Sequence, residues 1–457
     1  MRLLDRKRRP HTREVRTGES PLKGASSFEK SQPRPPRLAF LLLPLVSVVR
    51  MSPLIAPLRT AVALGAMRLV NGASRRLGQG AGTVAGGRVA LLLQPRLVSH
   101  LLKGRSVVLV TGTNGKTTTT ALTVAAMGQP VASNVTGSNM LAGVVAALAA
   151  DRSHTAVLEV DESYLPLTLA DSHLAESVTV MLLNLSRDQL DRVTEVRSIA
   201  ALWSRALHDA RPVTVVANVS DPLVAYAVAG LDRVVKVRVP TTWNSDALSC
   251  PLCTQALSFG DGDWSCHCGF TSPDANVRLG RDISWNGSNF PLSLSLPGAF
   301  NAANATMAFA TAVVVHAHDP AEVIAAMNAV TSVAGRFEIR EWRGRRWRLM
   351  LAKNPAGIEA LCREVDPSRL LVIDMNDGIA DGRDPSWLYD APFENLSTRT
   401  VICMGSRRLD LATRLQYAGF EVLVTKNPVD FTRDGEVTDV IANYTAFADW
   451  MNRSQPC

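Results

Sequence analysis

Between Val108 and Thr120 the chain reads VLVTGTNGKTTTT, an apolar strand running through a glycine turn into a lysine and a threonine-rich helix start. The chemistry of that spacing is phosphate binding. Backbone N–H groups of Gly112, Thr113, Asn114, Gly115 and Thr118 line such a turn, and the start of the following helix adds partial positive charge. Lys116 is long enough to reach the β- and γ-phosphates of a nucleotide, and the hydroxyl of Thr117, directly after it, is the one expected on Mg²⁺. The general phosphate-loop spelling has a glycine five positions before Gly115, where this chain has Val110. Two further clusters fall at the ends of predicted strands, the edge where open α/β sheets build their sites. In Ala156 to Glu162 the carboxylates Glu159, Asp161 and Glu162 follow an apolar run, and Glu159 is the first choice as an oxygen ligand for Mg²⁺, with Glu162 behind it. In Leu182 to Arg192, Asn184, Arg187, Asp188 and Asp191 share a rim, with Ser186 and Asp191 read as N-cap and helix-surface residues. The segment Pro297 to Asn304 starts a helix, and Asn301 taken alone reads as its cap.

Four of the seven cysteines crowd into residues 250–268. Clustering of this kind points to a metal site in a reducing compartment rather than a disulfide framework. Cys250 and Cys253 flank a Pro-Leu pair, and thiolates three apart around a tight turn can bind one tetrahedral metal. Twelve residues later come Cys266, His267 and Cys268. Zinc is the expected ion, held by Cys250, Cys253, Cys266 and either Cys268 or His267. Four protein ligands leave no open position, so its role is structural. A nucleic-acid-binding ribbon is the rival reading, and the lack of any Lys or Arg between residues 244 and 276 weakens it.

These residues need a scaffold. A chain of 457 residues has room for two to four domains. Its net charge of +8 sits in residues 1–50, with 12 Lys and Arg against 4 acids; residues 51–457 balance at 37 of each, which removes the case for a global nucleic-acid surface. Residues 1–50 read as a disordered basic extension, or as an over-called start with Met51 as initiator. Their apolar stretch, Leu38 to Val49, is too short to span a bilayer as a helix. Residues 51–103 suggest one or two helices and a loop. Apolar runs at 155–160, 178–183 and 213–217, spaced for helical crossovers, predict a parallel α/β sheet. The pattern breaks over 240–290, and helical periodicity returns from Ala302 to Val315. A second alternation follows: a strand near 348–352, a helix after Gly357, strands at 370–373 and 400–404, a helix over 409–418 and a strand at 420–425. The expected architecture is an α/β nucleotide-binding domain over 51–335, with a zinc ribbon inserted at about 244–275, and a smaller α/β domain over 336–457.

Taken together, TGTNGKTTT, LEVDE, NLSRDQLDR, GAFNAANA and GRFE at Gly335 to Glu338 resemble the motifs of the Mur ligase superfamily, in family order over roughly residues 60–450. The chain is most similar to the MurT-type branch, the synthetase subunit of lipid II isoglutaminyl synthase. Three features favour that branch: NLSRDQLDR in place of a histidine-bearing version, the cysteine-rich insertion, and Asn376 to Trp387 near the C-terminus. The resemblance implies that Lys116 and Thr117 serve the triphosphate and Mg²⁺, Glu159 the Mg²⁺, Asn301 and Asn304 the adenosine side of ATP, and Arg336 the nucleotide or an acyl phosphate. It implies that Lys353 to Gly357 face the nucleotide across a domain cleft. It also implies ATP-dependent amidation of the α-carboxylate of D-glutamate in the lipid II stem peptide. No glutaminase signature is present here, so ammonia would come from a class I glutaminase partner in a heterodimer, to whose Cys-His pair Asp384, or next Asp381, would contribute the acidic residue. The setting expected is cytoplasmic, meeting the membrane only through the substrate, with no nucleic acid. An amino-acid-adding Mur-type or folylpolyglutamate-type ligase, a nucleotide-dependent switch and a zinc-ribbon nucleic-acid binder are the alternatives.

Overall fold

Strand sequences such as Val107-Val108-Leu109-Val110 and Ala156-Val157-Leu158 are apolar on both faces, and both faces of the sheet they form are covered. The computed structural model describes residues 56–76, 83–134, 138–188, 195–210, 212–241, 243–260, 263–398 and 400–457. The readings of residues 1–50 and of Asp191 lie outside them. Three helices lead: α1 (Ala56–Arg76), α2 (Thr83–Leu93) and α3 (Leu97–Leu102). The sequence suggested one or two. The third exists because Leu97, Val98 and Leu102 are fully buried in the core of the sheet that follows.

Strand and helix then alternate through β1 (Ser106–Thr111), α4 (Lys116–Ala126), β2 (Val131–Ser133), α5 (Leu141–Ala150), β3 (Thr155–Glu159), α6 (Leu165–Asp171), β4 (Ser177–Leu182), α7 (Val196–Asp209), β5 (Thr214–Asn218), α8 (Pro222–Ala227) and β6 (Val234–Arg238). These strands are parallel and lie in the order β2-β3-β1-β4-β5-β6. The chain steps from β3 to β4 across β1, so the carboxyl end of β1 is the topological switch point, where such sheets open a crevice.

The cysteine segment leaves the sheet and forms its own hairpin, β7 (Ser258–Gly260) with β8 (Asp263–Ser265). The break expected over 240–290 is narrower in the structure. Strands β9 (Val277–Leu279), β10 (Ile283–Trp285) and β11 (Ser288–Phe290) rejoin the main sheet, β9 parallel to β6 and the others antiparallel. Three-residue strands are too short to show a period in the sequence. Helix α9 (Ala299–Phe309) widens into a π-helical turn, Ala310–Val315, before α10 (Pro320–Asn328). Beside that turn, Thr311 bonds back through its hydroxyl to Met307 O and His316 N–H reaches Thr311 O.

A second sheet follows from β12 (Ile339–Trp342), β13 (Arg345–Leu351), α11 (Pro355–Cys362), β14 (Leu371–Asp374), β15 (Thr400–Met404), α12 (Arg408–Tyr417), β16 (Glu421–Val424), β17 (Val437–Ala442), α13 (Tyr444–Arg453) and β18 (Gln455–Pro456). Its order is β16-β15-β14-β17-β13-β12-β18. It is parallel from β16 to β13, and antiparallel at β12 and β18. Separate apolar clusters fill the two faces of each sheet. The segments leaving β13 and β14 meet those leaving β1 and β4, so the carboxyl ends of the two sheets face one another within the unit Leu54–Cys457.

Candidate functional site

The glycine turn is built by two residues that no side chain could replace cheaply. Gly112 has φ 140° and Gly115 φ 86°. A Cβ at Gly112 would lie 2.8 Å from Leu183 Cβ, and one at Gly115 would lie 2.5 Å from Asn304 Oδ1. Gly115 also ends the turn as N-cap of α4, with no side-chain cap on the first-turn N–H groups. A helix start of this kind binds anions through those N–H groups and the helix dipole.

A second loop holds the turn in shape. Asn114 N–H donates to Asn184 Oδ1 at 2.9 Å, and Asn184 Nδ2 donates back to Asn114 O at 3.0 Å. The Thr113 hydroxyl accepts from Ser186 N–H and donates to Ser186 O, both at 3.1 Å, while Asn114 Nδ2 donates to Ser186 Oγ at 3.2 Å. Ser186 therefore caps no helix. The chain after β4 runs on as a loop through Asp188, and the next described helix, α7, begins at Val196.

Lys116 is 6% exposed and donates from Nζ to Gly112 O at 2.6 Å and to Glu162 Oε2 at 2.9 Å. Burial alone would lower the pKa of its ammonium group. The carboxylates of Glu162, Glu159 and Asp188 outweigh that and hold it above the ordinary lysine value, so the charge is permanent. The segment carrying Glu162 is steadied by Trp203, whose Nε1 donates to Glu162 O at 2.9 Å.

Glu159 ends β3 beside Val110 of β1 and is 3% exposed. Its backbone is clamped by Asn134, which accepts from Glu159 N–H at 2.7 Å and donates to Glu159 O at 2.8 Å. Its Oε2 is buried with no hydrogen-bond partner. A buried carboxylate oxygen left over beside a phosphate-binding turn fits a hard cation that takes oxygen ligands. Thr117, 6% exposed, offers the second oxygen. Arg336 arrives from the far side, with Nη2 3.4 Å from Thr117 Oγ1; burial holds its pKa below the ordinary arginine value, and Glu159 offsets only part of that. The backbone around Arg336 is unusual. Ala334, Gly335 and Phe337 all have positive φ, of 51°, 70° and 61°, and Phe337 stacks on Phe300 with centroids 5.8 Å apart. Strain of this kind persists only where packing over-determines it, and it aims the guanidinium back at α4.

Asn301 is not the cap of α9. Gly298 occupies that position, and Asn301, buried in the first turn, donates from Nδ2 to Pro297 O at 2.6 Å. Asn304 donates to Asn301 Oδ1 at 3.3 Å and packs on Gly115, which places both asparagines against the glycine turn.

From the second sheet, Asn354 caps α11 by accepting from Gly357 N–H at 2.8 Å and donates from Nδ2 to Asn114 Oδ1 at 3.2 Å. Lys353 pairs with Asp188 at 2.6 Å. Arg187 is the bridge that sequence reasoning missed: it bonds Asp246 of the cysteine segment at 2.5 Å and Asp390 of the second half at 3.0 Å. No local signal marks Asp246, whose partner is 59 residues away.

The acidic C-terminal loop separates its two candidates. Asp381 is 4% exposed and accepts from Gly378 N–H, Thr445 N–H and the Thr445 hydroxyl, so it fastens the start of α13. Asp384 is exposed and accepts only locally, from Ser386 at 2.9 Å; those bonds hold its carboxyl below the usual aspartate value.

In the cysteine segment, Sγ of Cys250 lies 3.7 Å from that of Cys268, Cys253 and Cys266 are 3.4 Å apart, and all four sulfurs fall within 4.8 Å of one another. Cys268 rather than His267 completes the group. Burial pushes the Cys250 thiol up, but the N–H groups of Cys253 and Leu252 aimed at the sulfur bring it down to about 7. Four converging thiols, all unpaired as disulfides, fit a tetrahedral soft-ligand metal.

Comparison with known proteins agrees with this geometry. Residues 110–312 match the Mur ligase middle domain and 351–447 the MurT ligase C-terminal model. The chain is 30% identical over 439 residues to the lipid II isoglutaminyl synthase (glutamine-hydrolyzing) subunit MurT of Streptococcus pneumoniae, covering 86% of this chain and 96% of that one. Its counterpart in Staphylococcus aureus is 28% identical over 438 residues, covering 87% and 99%. Among solved structures, a pseudomurein peptide ligase type C from Methanothermus fervidus superposes with a TM-score of 0.61 at 19% identity, covering 78% of this chain and 80% of that one. MurF from Acinetobacter baumannii gives 0.57 at 16% identity, covering 80% of each, and these two likenesses speak for the fold. The sequence kinship along nearly the whole chain, joined to a glycine turn that opens a helix at the switch point of a parallel sheet, makes this protein a member of the MurT family of the Mur ligase superfamily.

Proposed function

We propose that the protein is the ATP-dependent synthetase subunit of an amidotransferase that converts the α-carboxylate of D-glutamate in the lipid II stem peptide to the amide. The names of its relatives supply the substrate, and one observation carries the chemistry. Glu159, with an unpartnered buried oxygen, stands between a phosphate-binding helix start and Arg336, a cation from the other half of the molecule. That set of groups suits a triphosphate whose terminal phosphoryl is moving.

Gly112 to Thr118 would hold the phosphates through backbone N–H groups, and Lys116 would turn from Glu162 toward the β- and γ-oxygens. Thr117 and Glu159 would hold Mg²⁺, which neutralises phosphate charge when bound. Asn301 and Asn304 would line the adenosine side. The γ-phosphoryl would pass to the substrate carboxylate as its bond to the β-phosphate breaks and ADP leaves; ammonia would then attack the acyl carbon, the C–N bond forming and a proton being lost as the C–O bond to phosphate breaks with release of inorganic phosphate. Arg336 would stabilise charge on the transferring group. Ammonia would come from a class I glutaminase partner, with exposed Asp384 orienting that partner's histidine. The cysteine segment would be a structural zinc ribbon within a nucleotide-binding domain over 51–335, ahead of a C-terminal domain over 336–457.

The test is amide formation on purified lipid II with glutamine, ATP, Mg²⁺ and the glutaminase subunit, followed by mass spectrometry. Lys116→Ala is expected to abolish the product while the two subunits still co-purify. Unchanged amidation by that variant would remove the glycine turn from the mechanism.

A further inference from the structure

The overall charge balance hides a segregation. Residues 56–105 contain eight Lys or Arg and no Asp or Glu, whereas residues 106–457 contain 29 basic and 37 acidic residues. The basic stretch is the helical layer α1 to α3. Its inner side, including Ala63, Met67, Ala90 and Leu97, belongs to the core of the first sheet. Its outer side is apolar where a soluble surface would be polar: Leu58 is 64%, Val62 54% and Leu69 77% exposed on α1, and Leu92 is 70% exposed on α2. The spacing of residues 58, 62 and 69 puts them on one face of α1. Arg68, Arg75 and Arg76 are exposed on the same helix, and Arg88 and Arg96 on and just after α2.

A cavity of about 470 Å³ opens on a different side of α1, where Thr60, Leu64 and Arg68 line it together with His100, Lys103, Arg105, Arg152 and His154. Arg105 is 8% exposed, its Nη2 donates to Leu148 O and Asp151 O, and its Nη1 has no partner among the described residues. The cavity lies by the amino ends of β1 and β3, away from the glycine turn at their carboxyl ends.

We propose that the α1–α2 layer docks on an anionic lipid bilayer, its leucines and valine entering the headgroup region and the exposed Arg68, Arg75, Arg76 and Arg88 meeting lipid phosphates. Exposed large apolar side chains interleaved with Arg68, Arg75, Arg76 and Arg88, on helices that carry no Asp or Glu of their own, match the chemistry of an interfacial helix. A nucleic acid would leave the leucines unused. Docking at this end leaves the cleft between the sheets open. The inference depends on the α1–α2 layer and not on the identity of the substrate.

Flotation of the full-length chain with vesicles, without nucleotide or substrate, tests it. The wild type is expected to float with vesicles containing phosphatidylglycerol, to ignore pure phosphatidylcholine, and to be released by raised salt. The triple variant Arg68→Glu, Arg75→Glu, Arg88→Glu should bind at least about tenfold more weakly. The double variant Leu69→Ser, Leu92→Ser, which keeps every charge, should also bind more weakly. Circular dichroism of both should match the wild type. The proposal is overturned by any of three results: no preference for phosphatidylglycerol; full binding by the triple variant, which would assign it to residues 1–50; or a dimer in sedimentation velocity that the leucine variant dissolves while vesicles stay unbound. Binding to duplex DNA in place of vesicles would equally overturn it.

Discussion

Lys116 shows how a buried charge is kept. Its ammonium is bonded to Gly112 O and paired with Glu162, and the surrounding carboxylates hold its pKa above the ordinary lysine value. Glu162→Gln should remove the strongest of the carboxylates that hold the lysine charged. ATP binding is then expected to weaken by roughly tenfold or less, because Glu159 and Asp188 still face the lysine. Titration calorimetry with ATP and Mg²⁺ reads that outcome; loss of all binding would mean that Glu162 itself touches nucleotide or metal. The two aspartates of the C-terminal loop make a sharper contrast. Asp381→Ala takes two acceptor contacts from the start of α13 and one from Gly378 of its own loop, and should cost about 1–2 kcal/mol in chemical denaturation. Asp384→Asn should leave stability within about 0.5 kcal/mol and depress glutamine-dependent amidation while sparing ammonia-dependent amidation. Equal loss with glutamine and ammonia would place Asp384 outside the glutaminase contact. Placement was legible in the sequence where it is local: Lys116 and Thr117 open α4 after the glycine turn, and Glu159 ends β3, as the motifs suggested. Pairings were not: Glu162 with Lys116 spans 46 residues and Arg187 with Asp246 spans 59, and both depend on how loops run. Ser186 and Asn301 looked like helix caps because their types suit caps, yet a long-range bond to Thr113 claimed Ser186, and Asn301 sits inside the first turn, bonded back to Pro297 O, with Gly298 as the cap.

At the scale of elements, the turn between β1 and α4 is a close fit rather than a flexible loop. Gly104 and Gly115 both have positive φ, but only Gly115 has a neighbour where a Cβ would go. Gly104→Ala should therefore cost about 1–2 kcal/mol from backbone strain alone. Gly115→Ala should cost more and should also weaken ATP binding at least tenfold, since it pushes Asn304 away from the turn. Thermal melts with and without ATP compare the two. The four-thiol segment bears on stability through α7 and the bridge at Arg187. Arg197 of α7 donates to Cys250 O, and Asp246 holds Arg187. Chelation is thus expected to release zinc and lower the melting temperature of the whole chain, with Cys250→Ser plus Cys253→Ser doing the same; full metal content in that double variant would refute the site. Strands of five or six apolar residues were readable one by one. β13 was legible only in its apolar second half, near 348–352; its start and its partner β12 were not, because Arg345, Arg346 and Arg348 break the apolar alternation, and β9 to β11 are simply short.

Across the whole molecule, two neighbouring residues of opposite charge clasp two residues of opposite charge from the other half: Arg187 with Asp390, and Asp188 with Lys353. Together with Asn354 on Asn114 and Arg336 on Thr117, they bring the carboxyl ends of two sheets around one cleft. The Arg187–Asp390 pair is exposed and contributes little to stability, while Lys353–Asp188 is half-buried, and the clasp should matter mainly for geometry. Reversing either partner alone, Asp188→Lys or Lys353→Asp, should lower turnover, and the double reversal should recover part of it; a coupling near zero would deny the pair a role. Motif resemblance already suggested that Lys353 to Gly357 face the nucleotide. The reversed direction of the two sheets and the strained approach of Arg336 were beyond it, since neither leaves a trace in local composition. The central claim is that the glycine turn binds ATP so that its terminal phosphoryl activates a carboxylate for amidation. Its most direct test measures ADP release by the purified chain with its glutaminase partner, Mg²⁺, glutamine and lipid II. The account predicts ADP appearing in step with the amide and neither appearing when ATP is omitted. Amide formed while ATP stays intact, or ATP consumed with the carboxylate unchanged, would contradict it.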